Sequence, residues 1–303
     1  MAMQTTAGPV APSLDRGRGG PTRARRDRRR GTVFYWTGGI LASVIFIVPL
    51  LWAVFRSMEP ASRIAIAPHW SDFTHLTTAN YRDLFSGDIH LWRYVANSLI
   101  VSIGTAVLVA ILSTLAGYGF AKFRFPGSGL VFGTIILTLM VPFQAVLTPL
   151  FLELNAVHLT DSRIGLILFY TTFNLPFGTF VMRNTFAAVP AELEDSAYID
   201  GCGPMKSLFL VMRPLILPGV ATTILYSFLA SWTEFLGALT FLTKTSLFTL
   251  PVALLNIQSG TYGALNYGYL IAGSVIAMVP CVILYVALQR FYIQGLASGA
   301  VKG

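Results

Sequence analysis

The chemistry open to this chain is read first from its carboxylates. Four of its thirteen acidic residues, Glu192, Glu194, Asp195 and Asp200, are gathered between two long apolar segments. Carboxylates that follow Pro190 suit the positive end of a helix dipole, and proline is tolerated in a first turn, where its missing N–H costs nothing. A helix is therefore predicted to start there. Leu193 and Ala197 stand four apart on one face, Ser196 and Ala197 keep that side small, and Asp200-Gly201 offers a residue able to take positive φ where the helix stops. The chain restarts near Pro204 with another apolar run. The expected object is a short helix, small on one face and acidic at its start, held at the water surface; a solvated acidic loop is the plainer alternative.

Patterns that would make this chain a catalyst are missing. It has no G-x-x-x-x-G-K-[ST] phosphate loop, and the Lys206-Ser207 pair is preceded by Met205 where that loop requires glycine. It cannot hydrolyse ATP by that route. No H-E-x-x-H or comparable catalytic pair stands in the apolar segments. His69 and His75 have no further ligands at metal spacing, and Cys202 and Cys281 carry neither a disulfide framework nor a metal motif. No metal and no bound cofactor is expected.

One carboxylate is placed differently. Trp232-Thr233-Glu234-Phe235 puts Glu234 inside an apolar segment, where a charge at mid-membrane costs about 2.5–3.5 kcal/mol on insertion scales. Glu234 is expected either to line a translocation path or its outer gate, with Trp232 beside it as a second path candidate, or to bond another helix. Gln144 and Asn174 are further path candidates, because Pro142, Pro149 and Pro176 nearby free backbone carbonyls that protein or water must satisfy. Plain kinking is the competing explanation. A proton-driven carrier would need a chain of Asp, Glu and His within its spans, and one carboxylate does not make one.

These residues require a membrane scaffold. Apolar residues make up 54% of the chain and charged ones 11%, which excludes an ordinary soluble domain. Runs long enough to cross about 30 Å of hydrocarbon as helix are read near 33–55, 95–120, 131–153, 164–187, 214–242 and 267–289. The fold class is all-α, a polytopic membrane protein with six transmembrane helices and a cytoplasmic surface helix. Eight arginines between Arg16 and Arg30 precede the first span, and by loop fifteen of the twenty-one Lys and Arg fall on that side. Both termini and the acidic helix are thereby assigned to the cytoplasm.

Four regions follow. Residues 1–31, rich in Arg, Gly and Pro, are expected to be disordered and to meet anionic lipid rather than nucleic acid. Residues 32–94 hold the first span and an external segment, 95–290 the remaining five spans with a surface loop at about 188–213, and 291–303 a pliable tail. Gly117 and Gly119 are expected to allow close helix contact.

The loop resembles that of ABC importer permeases, which reads E-A-A, three residues, Gly, nine residues, Ile-x-Leu-Pro. Asp195-Ser196-Ala197, Gly201 and Val211-Met212-Arg213-Pro214 stand at those positions, with Asp for Glu, Ser for the first Ala and Arg213 for Leu. Asn80-Tyr81, Asn97-Ser98, the AGYGFAKFRFPG stretch, Trp232 to Phe235 and the closing QRFYIQGLASGAVKG are similar to the MalG-like permeases of carbohydrate importers. The resemblance implies a coupling helix on which Glu192, Asp195, Ser196, Ala197, Asp200 and Gly201 meet an ATPase. It also implies two ATPase subunits that bind ATP and Mg, an extracytoplasmic solute-binding protein, and import of a sugar, an oligosaccharide or a solute such as glycerol-3-phosphate. Because the spans offer few groups to solvate a polyhydroxyl substrate, a second, MalF-like permease is expected. A stand-alone carrier or channel is the competing class.

Overall fold

The computed structural model describes residues 21–60, 64, 75–260 and 266–300, with side chains described between Tyr35 and Phe291. Residues 1–20, His69 and the last three residues lie outside them. The described residues are helical, with no strand among them. By chain contacts Met1–Trp52 forms one unit and Ala53–Gly303 another. Helix α1 (Pro21–Ser57) supplies the first unit and leads into the second. It starts within the arginine-rich stretch expected to be disordered, because arginine is a good helix former and Pro21 opens the first turn.

In the second unit, α2 (Ala79–Ser86) is followed by α3 (Leu91–Lys122), and α4 (Ser128–Leu137) by α5 (Phe143–Ala156). Next come α6 (Arg163–Ala187), α7 (Ala191–Ile199), α8 (Pro204–Lys206) and α9 (Arg213–Thr233). The last are α10 (Leu236–Phe241), α11 (Leu250–Gln258) and α12 (Tyr267–Ala300). Among the described residues five helical stretches are long and apolar enough to cross a membrane, or six when α4 and α5 count as one bent span.

The structure departs from the expected spans in three places. The third breaks by 104° between Met140 and Phe143. Pro142 cannot continue a helix and drives Val141 out of it, to φ −74° and ψ 120°; Pro149 and Pro176 remain inside their helices. The fifth begins ten residues early, at Pro204 rather than 214, passes through a wide π turn at Ser207–Met212, and stops at Thr233. The expected tail continues α12 as helix to Ala300, since isolated glycines cost a helix only about 1 kcal/mol each.

Close approach holds α3, α6 and α9 together. A Cβ at Gly178 would lie 3.0 Å from side-chain atoms of Val109, Ser113 and Thr223, so one glycine sits where three helices meet. At Gly117 a Cβ would come within 2.7 Å of the Arg183 backbone, whereas Gly119 faces open space. Gly178→Val is expected to cost about 1–3 kcal/mol by overpacking; a lowered unfolding temperature of the detergent-purified protein would register it, and Gly119→Ala should leave that temperature unchanged.

Asparagines tie the segments at the far end. Asn97 Nδ2 donates to the carbonyls of Ser246 and Phe248, both at 3.0 Å, and Ser98 Oγ accepts the Leu250 N–H at 2.7 Å. Asn80 Nδ2 donates to the Ser57 and Glu59 carbonyls at 2.9 and 2.8 Å. Asp161 joins the loop before α6 to the one after α10 by accepting from the Thr243 N–H and hydroxyl and from the Lys244 N–H. Those donors, the Thr243 hydroxyl foremost, hold its carboxyl below the usual aspartate range.

Candidate functional site

Helix α7 is built by local signals at both ends. Pro190 is extended at its start, and Glu192 and Glu194 occupy the first turn, where the helix dipole favours negative charge. At its close Gly201 takes φ +77°. The Gly201 N–H then bonds the Tyr198 carbonyl at 3.0 Å and the Cys202 N–H the Ala197 carbonyl at 2.9 Å. This Schellman pairing satisfies the last carbonyls of the helix. A Cβ at Gly201 would meet nothing within 4 Å, so the demand for glycine there is conformational, not steric.

Helical periodicity sorts the side chains of α7 onto two faces. Glu194 and Ala197, three apart, are buried, while Glu192, Leu193, Asp195, Ser196, Ile199 and Asp200 are exposed. Ala197 therefore does not share the exposed face with Asp195 and Ser196, as the docking expectation required. It is buried in its own chain, where α7 packs on the turn at Ser207–Met212. Ile199 is 86% exposed although it lies outside the spans. Leu193 and Tyr198 are also exposed, on either flank of the buried side, and Ile199 stands opposite it.

The buried face carries the contact that sequence reasoning missed. Lys122 Nζ, at the end of α3, lies 3.3 Å from Glu194 Oε2, and both side chains are 11% exposed. Lys122 also donates to the Val189 carbonyl at 3.1 Å. Glu194 Oε1 accepts from Tyr118 at 3.2 Å and from Tyr198 at 3.0 Å. A buried carboxylate is tolerable only with this many partners. The result fastens α7 to α3, a helix distant in sequence, as well as to its chain neighbours.

The four path candidates do not form one site. Glu234 ends α9 in extended conformation, and its carboxylate accepts the Gly237 and Ala238 N–H groups at the start of α10 and the Tyr170 hydroxyl of α6. Trp232 is buried and turned toward α12, where its Nε1 donates to the Ala277 carbonyl at 3.0 Å. Asn174 is buried and donates to the Tyr170 carbonyl at 2.7 Å. Gln144 is exposed in the first turn of α5, beside the bend. Glu234→Ala should lose about 1 kcal/mol of capping and lower the unfolding temperature, whereas Glu234→Gln, which keeps an acceptor oxygen, should assemble normally and isolate the effect of charge on transport. Among the described residues no cluster of His, Cys, Asp and Glu could hold a metal ion.

Residues 106–297 match the family model described as "binding-protein-dependent transport system inner membrane component". The chain is 33% identical to the arabinooligosaccharides transport system permease protein AraQ of Bacillus subtilis, over 87% of this chain and 93% of that one. It is 32% identical to the trehalose transport system permease protein SugB of Mycobacterium tuberculosis, over 91% and 99%. Its fold matches, at a TM-score of 0.70 and 23% identity, a bacterial ABC transporter involved in import of the acidic polysaccharide alginate, covering 88% of this chain and 98% of that one. A membrane-spanning helical body with a surface helix pinned on one side and bare on the other, and a match across most of its length, place this chain in the family of binding-protein-dependent transport system inner membrane components.

Proposed function

We propose that this chain is one of two permease subunits of an ATP-driven importer of a sugar or oligosaccharide. The observation that carries the substrate class is the near full-length similarity to permeases named for arabinooligosaccharide and trehalose transport. The partners are a second, MalF-like permease, two ATPase subunits that bind ATP and Mg, and an extracytoplasmic solute-binding protein. Both termini and α7 lie in the cytoplasm, in keeping with the placement of the basic residues.

In this reading the exposed face of α7 docks in a groove of an ATPase subunit. Closure of the ATPases on ATP pushes α7, and the Lys122–Glu194 pair carries that push into α3 and so into α6 and α9, which pack against it. Gln144, exposed beside the bend at Pro142, and Asn174 on α6 are the candidates for the path between the two permeases. The test is reconstitution in liposomes with labelled sugars. Uptake should require ATP, the ATPases, the second permease and the solute-binding protein together; uptake by this chain alone would assign it to the stand-alone carriers.

A further inference from the structure

At the end of the second unit opposite α7, two arginines line one cavity, with no acceptor for either guanidinium among the described residues. Arg93 lies in the first turn of α3 and Arg163 opens α6. With Trp92, Asn97, Ile100 and Ser246 they line a space of about 370 Å³ that holds no acidic side chain. Arg163 Nε is buried without a hydrogen-bond partner. The Asn97 amide gives its N–H groups to the Ser246 and Phe248 carbonyls, and among the described residues no hydrogen bond joins its Oδ1 to either arginine. A buried donor left unpaired is costly, and the half-buried Arg163 beside the exposed Arg93, with no acidic side chain among the described residues that line the cavity, suits an anion from outside the chain.

What lies beneath the arginines narrows the choice. Ile100 is exposed at the inner side of the cavity, and Ile103, Val107 and Ile111 continue it as exposed residues at helical spacing along α3. From Ile100 to Ile111 the rise is about 16 Å, roughly one leaflet of a ~30 Å hydrocarbon core. Trp92, also exposed, lies in the first turn of α3, and indole rings at the ends of spans favour the headgroup region.

We propose that this cavity binds an anionic glycerophospholipid, its phosphate between Arg93 and Arg163 and one acyl chain along the α3 stripe. A carboxylate of a soluble partner would answer the charges but not the apolar track leading away from them.

The assembled importer, in nanodiscs of mixed phosphatidylglycerol and phosphatidylcholine, tests this by native mass spectrometry of retained lipid. The wild type should keep phosphatidylglycerol over phosphatidylcholine on the order of tenfold. Arg93→Gln with Arg163→Gln should abolish the preference, and the paired Lys variants should keep most of it. Equal retention of the two lipids by the wild type overturns the proposal without any variant. It is also overturned if the Gln pair keeps the lipid preference but loses affinity for the solute-binding protein, in which case the cavity receives that protein's acidic side chains.

Discussion

Glu194→Ala is expected to reduce uptake to background while the chain still inserts in the membrane. The carboxylate holds Lys122, Tyr118 and Tyr198, and its removal leaves a largely buried ammonium with only the Val189 carbonyl. Breaking one side of a buried pair costs roughly 3–5 kcal/mol, and partial exposure to water puts this pair at or below the lower end of that range. The loss falls on the seam between α7 and α3, so the ATPases would push a helix no longer fastened to the membrane body. Substrate-stimulated ATP turnover in the purified complex should fall toward the basal rate, with the subunits still associated. Lys122→Glu should act alike, and the exchange Lys122→Glu with Glu194→Lys should restore part of the stimulation. A purely local role for Glu194 would leave the exchange no better than either single change.

The second large effect is expected at Ile199. A fully exposed isoleucine on a surface helix gains about 1.5–3 kcal/mol when covered, which corresponds to roughly 10–150-fold in affinity. Ile199→Asp should weaken ATPase association by about that factor and abolish uptake. The Lys122–Glu194 pair should survive, because Ile199 points away from it. Asp195→Ala, at the exposed rim, should have a smaller effect that diminishes with added salt, as screened surface charges do.

Much of α7 was legible because its signals are local. Proline and carboxylates at the start and glycine at the end act within a turn of where they stand, and the helix runs between them. What could not be read is which carboxylate turns inward. Glu194 and Asp195 are adjacent acids, and only the fold brings Lys122 and Tyr118 beneath one of them. A Lys that marks an interface and a Glu in an acidic run both pass for surface charges when taken singly.

The spans show the same division. Their number follows from length and apolarity, which sum over twenty residues, but their breaks depend on single residues. Pro142, Pro149 and Pro176 look alike in sequence, yet Pro142 alone of the three coincides with a sharp bend. The fifth segment is apolar past Glu234, which concealed that this carboxylate ends one helix and caps the next. Asn80 and Asn97 stand out in the sequence only by resemblance; their roles as ties depend on carbonyls far along the chain.

Site-specific cross-linking in the assembled importer examines the two faces of α7 directly. Single cysteines at Asp195, Ala197 and Ile199, in a background with Cys202 and Cys281 replaced by Ser, would be treated with a short thiol-reactive photo-cross-linker. Adducts with an ATPase subunit are expected from positions 195 and 199, strengthened when ATP closes the complex, and none from position 197. Labelling of 195 and 199 by lipid or solvent alone in a complex that still imports sugar would contradict that expectation.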